Sequence, residues 1–301
     1  MTTNLIEFSA VTKKFKNHRA LDSLSVQFKK GSTVGLLGPN GAGKSTCLKM
    51  MLGLLRPTSG SVSIFGWDLW SEGPKIRQQI GYVPEDPWLY PWMTVRQVLQ
   101  FASSMYERWS SALAEDLLVH MSLPPECLVK NLSKGMRMKS ALLVALAHRP
   151  RLLILDEPMS GLDPLARDDL VEMLIKLRDE ETECILLSSH QIDDVARLAD
   201  EVVILNAGKR LVHASIDELI GTTKRVEAVL LDGRLPERVL QQTVWQRVDR
   251  RNWSMTLHPF DAAMVDTLVE ANPISSTTVV DIGLEQIFKD FIRGAAPCCA
   301  P

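Results

Sequence analysis

Thr33-Val34-Gly35-Leu36-Leu37-Gly38-Pro39-Asn40-Gly41-Ala42-Gly43-Lys44-Ser45-Thr46 runs from an apolar segment through a glycine-rich loop into a helical pattern. A short, continuous apolar run bounded by turn residues reads as a buried strand. The loop satisfies G-x-x-x-x-G-K-[ST] and stands between strand and helix, the context that motif requires. Its glycines let successive backbone N–H groups turn inward around an anion. The helix N-terminus adds partial positive charge. Gly38, Pro39, Asn40, Gly41, Ala42, Gly43, Lys44, Ser45 and Thr46 are therefore expected to bind nucleotide phosphates. Lys44 reaches the outer phosphates, and the Ser45 hydroxyl suits a magnesium ion.

Working outward, Leu152–Leu155 reads as a second buried strand, and it ends in Asp156-Glu157-Pro158. An acid at a strand end can hold Mg²⁺, the role expected of Asp156. Glu157, one residue on, can polarise an attacking water as general base. Cys184–Leu187 reads as a third buried strand. Helical patterns follow these strands at Lys44–Leu55, Leu165–Glu180 and Ile192–Ala199. Strand–helix alternation with fully apolar strands predicts an α/β fold around a parallel sheet, a P-loop NTPase.

Leu5–Val11 and Leu24–Phe28 alternate more and predict an antiparallel β subdomain. Three helical patterns between residues 94 and 149 predict a helical insert. Asn206-Ala207-Gly208 predicts a hairpin turn between Glu201–Leu205 and Lys209–His213. Ile216–Ile220 closes the first domain, placed at residues 1–222. Residues 223–301 read as a small C-terminal α+β module. Strands are expected there at Val226–Leu231, Ser254–His258 and Thr277–Asp281, and helices at Glu237–Thr243, Asp261–Ala271 and Leu284–Ile292.

Composition narrows the function. The chain has 301 residues, 46% hydrophobic and 23% charged, which is ordinary globular composition. Thirty-four basic against 36 acidic residues leave a net charge of -2, so no direct nucleic-acid partner is expected. The longest apolar run, Ala141–Ala147, has seven residues, against about 20 for a membrane helix. No signal peptide is read in Met1-Thr2-Thr3-Asn4. Five cysteines without a C-x-x-C pair fit a reducing compartment.

Further motifs complete the reading. Asn131-Leu132-Ser133-Lys134-Gly135-Met136 opens a long helix with Ser133 as a natural N-cap. Met159-Ser160-Gly161-Leu162-Asp163 follows the acidic pair, and Ser188-Ser189-His190 follows the next strand. In this order the motifs resemble the ATP-binding subunit of an ABC transporter, over about residues 4–220. The resemblance implies two ATPase domains clamping two ATP molecules head to tail. It implies catalytic roles for Glu157, His190 and Lys44, and Mg²⁺ at Ser45, Asp156 and Glu85. His190 would contact the γ-phosphate and hold Glu157 and water in place. Ser133 and Gly135 would touch the γ-phosphate of the opposite site, and Asp163 would communicate across the dimer. Phe15 matches the aromatic that stacks on adenine in the family.

Two positions depart from the commonest family pattern. The signature reads Leu-Ser-Lys-Gly-Met rather than Leu-Ser-Gly-Gly-Gln, and Glu85 replaces a glutamine after Ile80-Gly81-Tyr82-Val83-Pro84. Both resemble the exporter-type branch, whose permease is a separate chain. That implies a peripheral subunit at the cytoplasmic face of the cell membrane, powering transport, with export as the direction. Glu85–Trp92, rich in aromatics and proline, is the expected docking loop for a transmembrane permease. Both half-sites lie in one chain, so a homodimer is expected. A soluble family member acting on ribosomes or nucleic acid is the alternative; one phosphate loop and no sustained heptads weigh against it. Val279–Phe288 resembles a tail segment of exporter-type ATPases, with dimer contact or regulation as its implied role. Cys298-Cys299-Ala300-Pro301 is a poor match to a lipidation box and reads as a frayed tail.

Overall fold

A computed structural model describes residues 4–177, 182–231 and 239–295, and the Cys298–Pro301 reading lies outside them. Backbone contacts divide the chain into two compact units, Met1–Arg210 and Leu211–Pro301. The division falls ahead of the 222/223 boundary read from sequence.

In the first unit, β1 (Asn4–Phe15) and β2 (His18–Lys29) form an antiparallel hairpin closed by the Phe15–His18 pair. β3 (Ser32–Leu37) is buried at every residue and leads into α1 (Lys44–Met51). β4 (Ser59–Ile64) pairs antiparallel with β1, and β5 (Trp67–Asp68) pairs with β4. This sheet has the order β2-β1-β4-β5. The sequence reading did not find β4 and β5. Their stretch is serine-rich, and β4 buries only Val62 and Ile64.

α2 (Gly73–Arg77) precedes β6 (Ile80–Val83). The insert between residues 94 and 149 holds α3 (Val95–Ser103), α4 (Ser111–His120) and α5 (Lys134–Leu146). Each begins at a hydroxyl N-cap: Thr94 accepts from Gln97 N, Ser110 from Leu113 N and Ser133 from Met136 N. Each cap is worth about 1 kcal/mol, so the helix starts are set locally. β7 (Leu152–Asp156), α6 (Pro164–Leu177), β8 (Cys184–Ser189), α7 (Ile192–Leu198), β9 (Glu201–Asn206) and β10 (Lys209–Ser215) follow. The second sheet has the order β10-β9-β3-β8-β7-β6, and β9, β3, β8, β7 and β6 run parallel. This unit is thus of mixed α/β class, with the glycine-rich loop between β3 and α1 at the end of a mainly parallel sheet. Leu152–Leu155 and Cys184–Leu187 are buried throughout. Removing each such side chain from water contributes about 1.5–3 kcal/mol, and that burial fixes where β7 ends.

After α8 (Ile216–Thr222), the second unit is built on β11 (Lys224–Leu230), β12 (Thr243–Asp249), β13 (Asn252–Leu257) and β14 (Ile274–Asp281). They form an antiparallel sheet of order β12-β13-β11-β14. Leu268 of α9 (Ala263–Ala271) joins a core with Val226, Leu230, Trp253 and Met255. α10 (Leu284–Gly294) buries Leu284, Ile287 and Phe291, and its buried Asp290 accepts from Thr256 Oγ1 at 2.6 Å. The helix read over Glu237–Thr243 needs correction. Residues 239–242 are not helical, Thr243 begins β12, and residues 237 and 238 lie outside the described ones. β12 is an edge strand with exposed Gln246, Arg247 and Asp249, so it lacks the apolar run that marks a buried strand.

Candidate nucleotide site

The ends of β3, β7 and β8 converge because β3 and β7 both flank β8 in parallel register. β3 delivers the phosphate loop and β7 the two acids. β8 delivers Ser188 and Ser189, directly ahead of His190.

In the loop, Ala42 N donates to Pro39 O at 3.1 Å, and Gly43 takes φ 108°. That φ lies in the region that favours glycine. A Cβ at Gly43 would also fall 2.7 Å from Leu21 Cδ2 and 2.8 Å from Ala20 O, so the loop can lie against β2 only with glycine there. No side chain caps α1, which leaves its first N–H groups to a ligand anion. Lys44 is buried, and its Nζ donates to Gly38 O at 2.6 Å and lies 3.7 Å from Glu157 Oε1.

One cleft of about 290 Å³ is lined by Pro39–Thr46, Phe15, His18, Ala20, Glu85, Asp156 and Glu157. The structure therefore brings Phe15, Pro39–Thr46, Glu85 and Asp156 of the sequence-expected residues to one cleft; Gly38 does not line it. Phe15 lines the cleft and is 44% exposed, with the Lys13 ammonium over its ring, 5.0 Å from the centroid.

The acids are tightly organised. Ser188 Oγ donates to Asp156 Oδ1 at 2.6 Å and accepts from Glu157 N at 3.1 Å. Glu157 adopts φ 49°, a left-handed conformation that costs energy for a residue with a side chain. The Ser188 contacts hold it there. Glu157 Oε2 lies 2.7 Å from His190 Nδ1 and accepts from His190 N at 3.2 Å. Glu85 Oε1 accepts from Ser160 Oγ at 3.1 Å. Burial raises the Asp156 carboxyl above its ordinary range, and the Glu157 and Glu85 charges add to this. The Ser188 hydrogen bond and Lys44 pull it back.

Ser133, Gly135 and Asp163 do not line this cleft. Ser133 caps α5 with its residue exposed to solvent. Exposed Asp163 accepts from Ala166 N at 3.0 Å at the start of α6. Sequence reasoning missed the double role of Ser188, although the Ser188-Ser189-His190 motif contained it. It also missed His18, whose only signal is its place beside Phe15 at the hairpin turn. In the segment Glu85–Trp92, Trp88 and Trp92 are 72% and 65% exposed. Both rings pack on Tyr90, with centroids 5.2 and 5.1 Å away, and Tyr90 rests on Phe101 of α3 at 5.6 Å.

The chain is similar to known proteins. The family model described as ABC transporter matches residues 21–160, from within β2 to Ser160, three residues past Glu157. A model described as an AAA domain matches residues 128–193. The uncharacterised ABC transporter ATP-binding protein YdbJ of Bacillus subtilis (strain 168) is 31% identical over 80% of this chain and 78% of its own length. The bacitracin transport ATP-binding protein BcrA of Bacillus licheniformis is 34% identical over 72% of each chain. Among solved structures, the dimeric ATP-binding cassette MJ0796, in a post-hydrolysis state bound to ADP and Pi, superposes with a TM-score of 0.63 at 26% identity. That match covers 70% of this chain and 98% of the cassette.

The chain belongs to the ABC transporter ATP-binding family. It is an ATP-binding subunit and an ATPase of that family. No helix among the described residues is long and apolar enough to cross a membrane.

Proposed function

We propose that this chain hydrolyses ATP with Glu157 as general base, and that paired copies drive export through a separate membrane permease. The observation that carries the reading is the Glu157 carboxylate, set in the phosphate-loop cleft and held by both the ring and the backbone of His190. A base fixed in direction lowers the cost of orienting the attacking water. Lys44, Ser45 and the loop N–H groups hold the phosphates, and Phe15 takes the adenine.

Ser45, Glu85 and Asp156 line the same cleft and offer only oxygen donors, the set that magnesium prefers. The three carboxylates there face one ammonium group, so a divalent cation fits the charge as well as the donor chemistry. Bound Mg²⁺ would supply neutralisation of phosphate charge. Asp156 and Ser45 would hold the ion, and Glu85 would approach it from the docking-loop side.

Ser133, Gly135 and Asp163 stand outside the cleft, which supports their contact with the site of a second copy. A capped helix start such as that at Ser133 suits a γ-phosphate. The exposed Trp88 and Trp92, ordered on Tyr90, support permease docking at Glu85–Trp92, at the cytoplasmic face of the membrane. Large aromatics are favoured in the buried centre of protein interfaces. Similarity to a bacitracin transport protein supports a transport role, and the exporter-type features at Glu85 and Lys134 support its direction. Photo-crosslinking from residue 88 or 92 in membranes tests this reading. An adduct with a membrane protein is expected; no adduct in any nucleotide state contradicts it.

A further inference from the structure

The geometry points to Arg167 as a positioning residue that couples the Asp163 loop to the Glu157–His190 pair. The inference rests on the catalytic reading above and adds a device to it. Arg167 lies in the first turn of α6, where its N–H donates to Asp163 O at 3.0 Å. The same turn carries Ala166, whose Cβ lies 3.2 Å from where a Cβ on Gly135 would stand. This turn therefore touches both segments that lie outside the nucleotide cleft.

From there the Arg167 side chain crosses to the segment after β8. Its Nε donates to Asp194 Oδ1 at 2.7 Å and its Nη2 to Asp194 Oδ2 at 2.6 Å. Nη2 also donates to Gln191 Oε1. Asp194 is 2% exposed, so Arg167 neutralises a buried charge. Gln191 directly follows His190. Its backbone is tied again by Ser189, whose Oγ accepts from Gln191 N at 2.9 Å and donates to Gln191 O at 3.2 Å. His190 is thus clamped on its C-terminal side, and its ring and N–H both reach Glu157 Oε2.

The continuous path is Asp163 backbone, Arg167, Gln191 with Asp194, His190, Glu157. A shift of the α6 turn is transmitted to the general base through rigid contacts. An ordinary ion pair would need only a cation at position 167. Holding Asp194 by two bonds while also holding Gln191 needs the planar fork of guanidinium; an ammonium group is a point donor. This difference separates positioning from mere stability.

The test uses the full-length chain with Arg167→Lys and Gln191→Met, measuring kcat and KM for Mg-ATP and the melting temperature. Arg167→Lys keeps Asp194 paired, and Gln191→Met leaves the Arg167–Asp194 pair intact. Both are expected to melt as wild type, keep KM within about twofold and lose about tenfold or more in kcat, since misplacing a catalytic group by 1 Å can cost a hundredfold. Wild-type kcat in both variants overturns the coupling, as does a kcat loss that only follows a falling melting temperature. Glu157→Gln run alongside separates the two claims. If it turns over at the wild-type rate, the catalytic reading itself fails. If it is inactive while both variants are fully active, only the coupling fails.

Discussion

Glu157 Oε2 lies 2.7 Å from His190 Nδ1 and accepts the His190 backbone N–H at 3.2 Å, while Glu157 Oε1 lies 3.7 Å from Lys44 Nζ. Both oxygens of the carboxylate are therefore placed by named partners, one just after β8 and one at the end of the phosphate loop. His190→Ala removes the ring contact and leaves the backbone one. We expect kcat to fall roughly a hundredfold, within the usual range for a general acid–base group, with KM for ATP little changed. Steady-state hydrolysis checks this.

Lys44 stands inside the loop that wraps the phosphates, with its ammonium on Gly38 O. Among the described residues lining the cleft, Lys44 is the only lysine or arginine, and Lys44→Ala removes it. The expected defect is in nucleotide binding itself. Equilibrium titration with a fluorescent ATP analogue should show affinity lower by about tenfold or more, the scale of one charge-assisted hydrogen bond.

Ser188 is fully buried and serves two neighbours, Asp156 Oδ1 and Glu157 N. Ser188→Ala leaves the Glu157 N–H with only Ser188 O at 3.1 Å and strips a donor from the half-buried Asp156 carboxylate. A loss of about 1–3 kcal/mol in unfolding free energy is expected from the unsatisfied group, read by urea denaturation. Hydrolysis should fall with it, because the same hydroxyl holds the left-handed turn at Glu157.

His148 connects the end of α5 to β6. It is 1% exposed, its Nε2 lies 3.2 Å from Ile80 O, and its ring stacks on Tyr106 at 3.9 Å. Burial holds its pKa below the ordinary value, against the opposing pull of the Val144 and Ile80 carbonyls. The unfolded chain therefore binds a proton more readily, near pH 6.5. The stability that neutral His148 provides is present above that pH and is lost as pH falls below it toward the folded pKa. The melting temperature should drop between pH 7.5 and 5.5. His148→Phe, which keeps the stacking, should show a shallower drop; an equal slope contradicts the assignment.

The phosphate loop was legible because its neighbours in sequence are its neighbours in space. An apolar strand, a glycine loop and a helix start suffice to define it. Ser133 as a helix cap was legible for the same reason, since Met136 N is three residues away. Ser188 was not, because its role needs β7 and β8 side by side, with Asp156 opposite Ser188. Arg167 and Asp194 are likewise joined only by the docking of α6 on α7. β4 and β12 escaped for a different reason. Serine-rich or half-exposed strands carry too few apolar residues to set a period, and partners across the sheet define them instead.

The central claim is that Glu157 is the general base in an otherwise intact ATP-binding site. Glu157→Gln keeps the size and polarity of the side chain but removes its basicity. Hydrolysis and ATP binding measured on the same preparation decide the matter. The account predicts ATP affinity close to wild type, hydrolysis lower by about a hundredfold or more, and an ATP-dependent dimer visible by light scattering. Wild-type turnover by Glu157→Gln would contradict it.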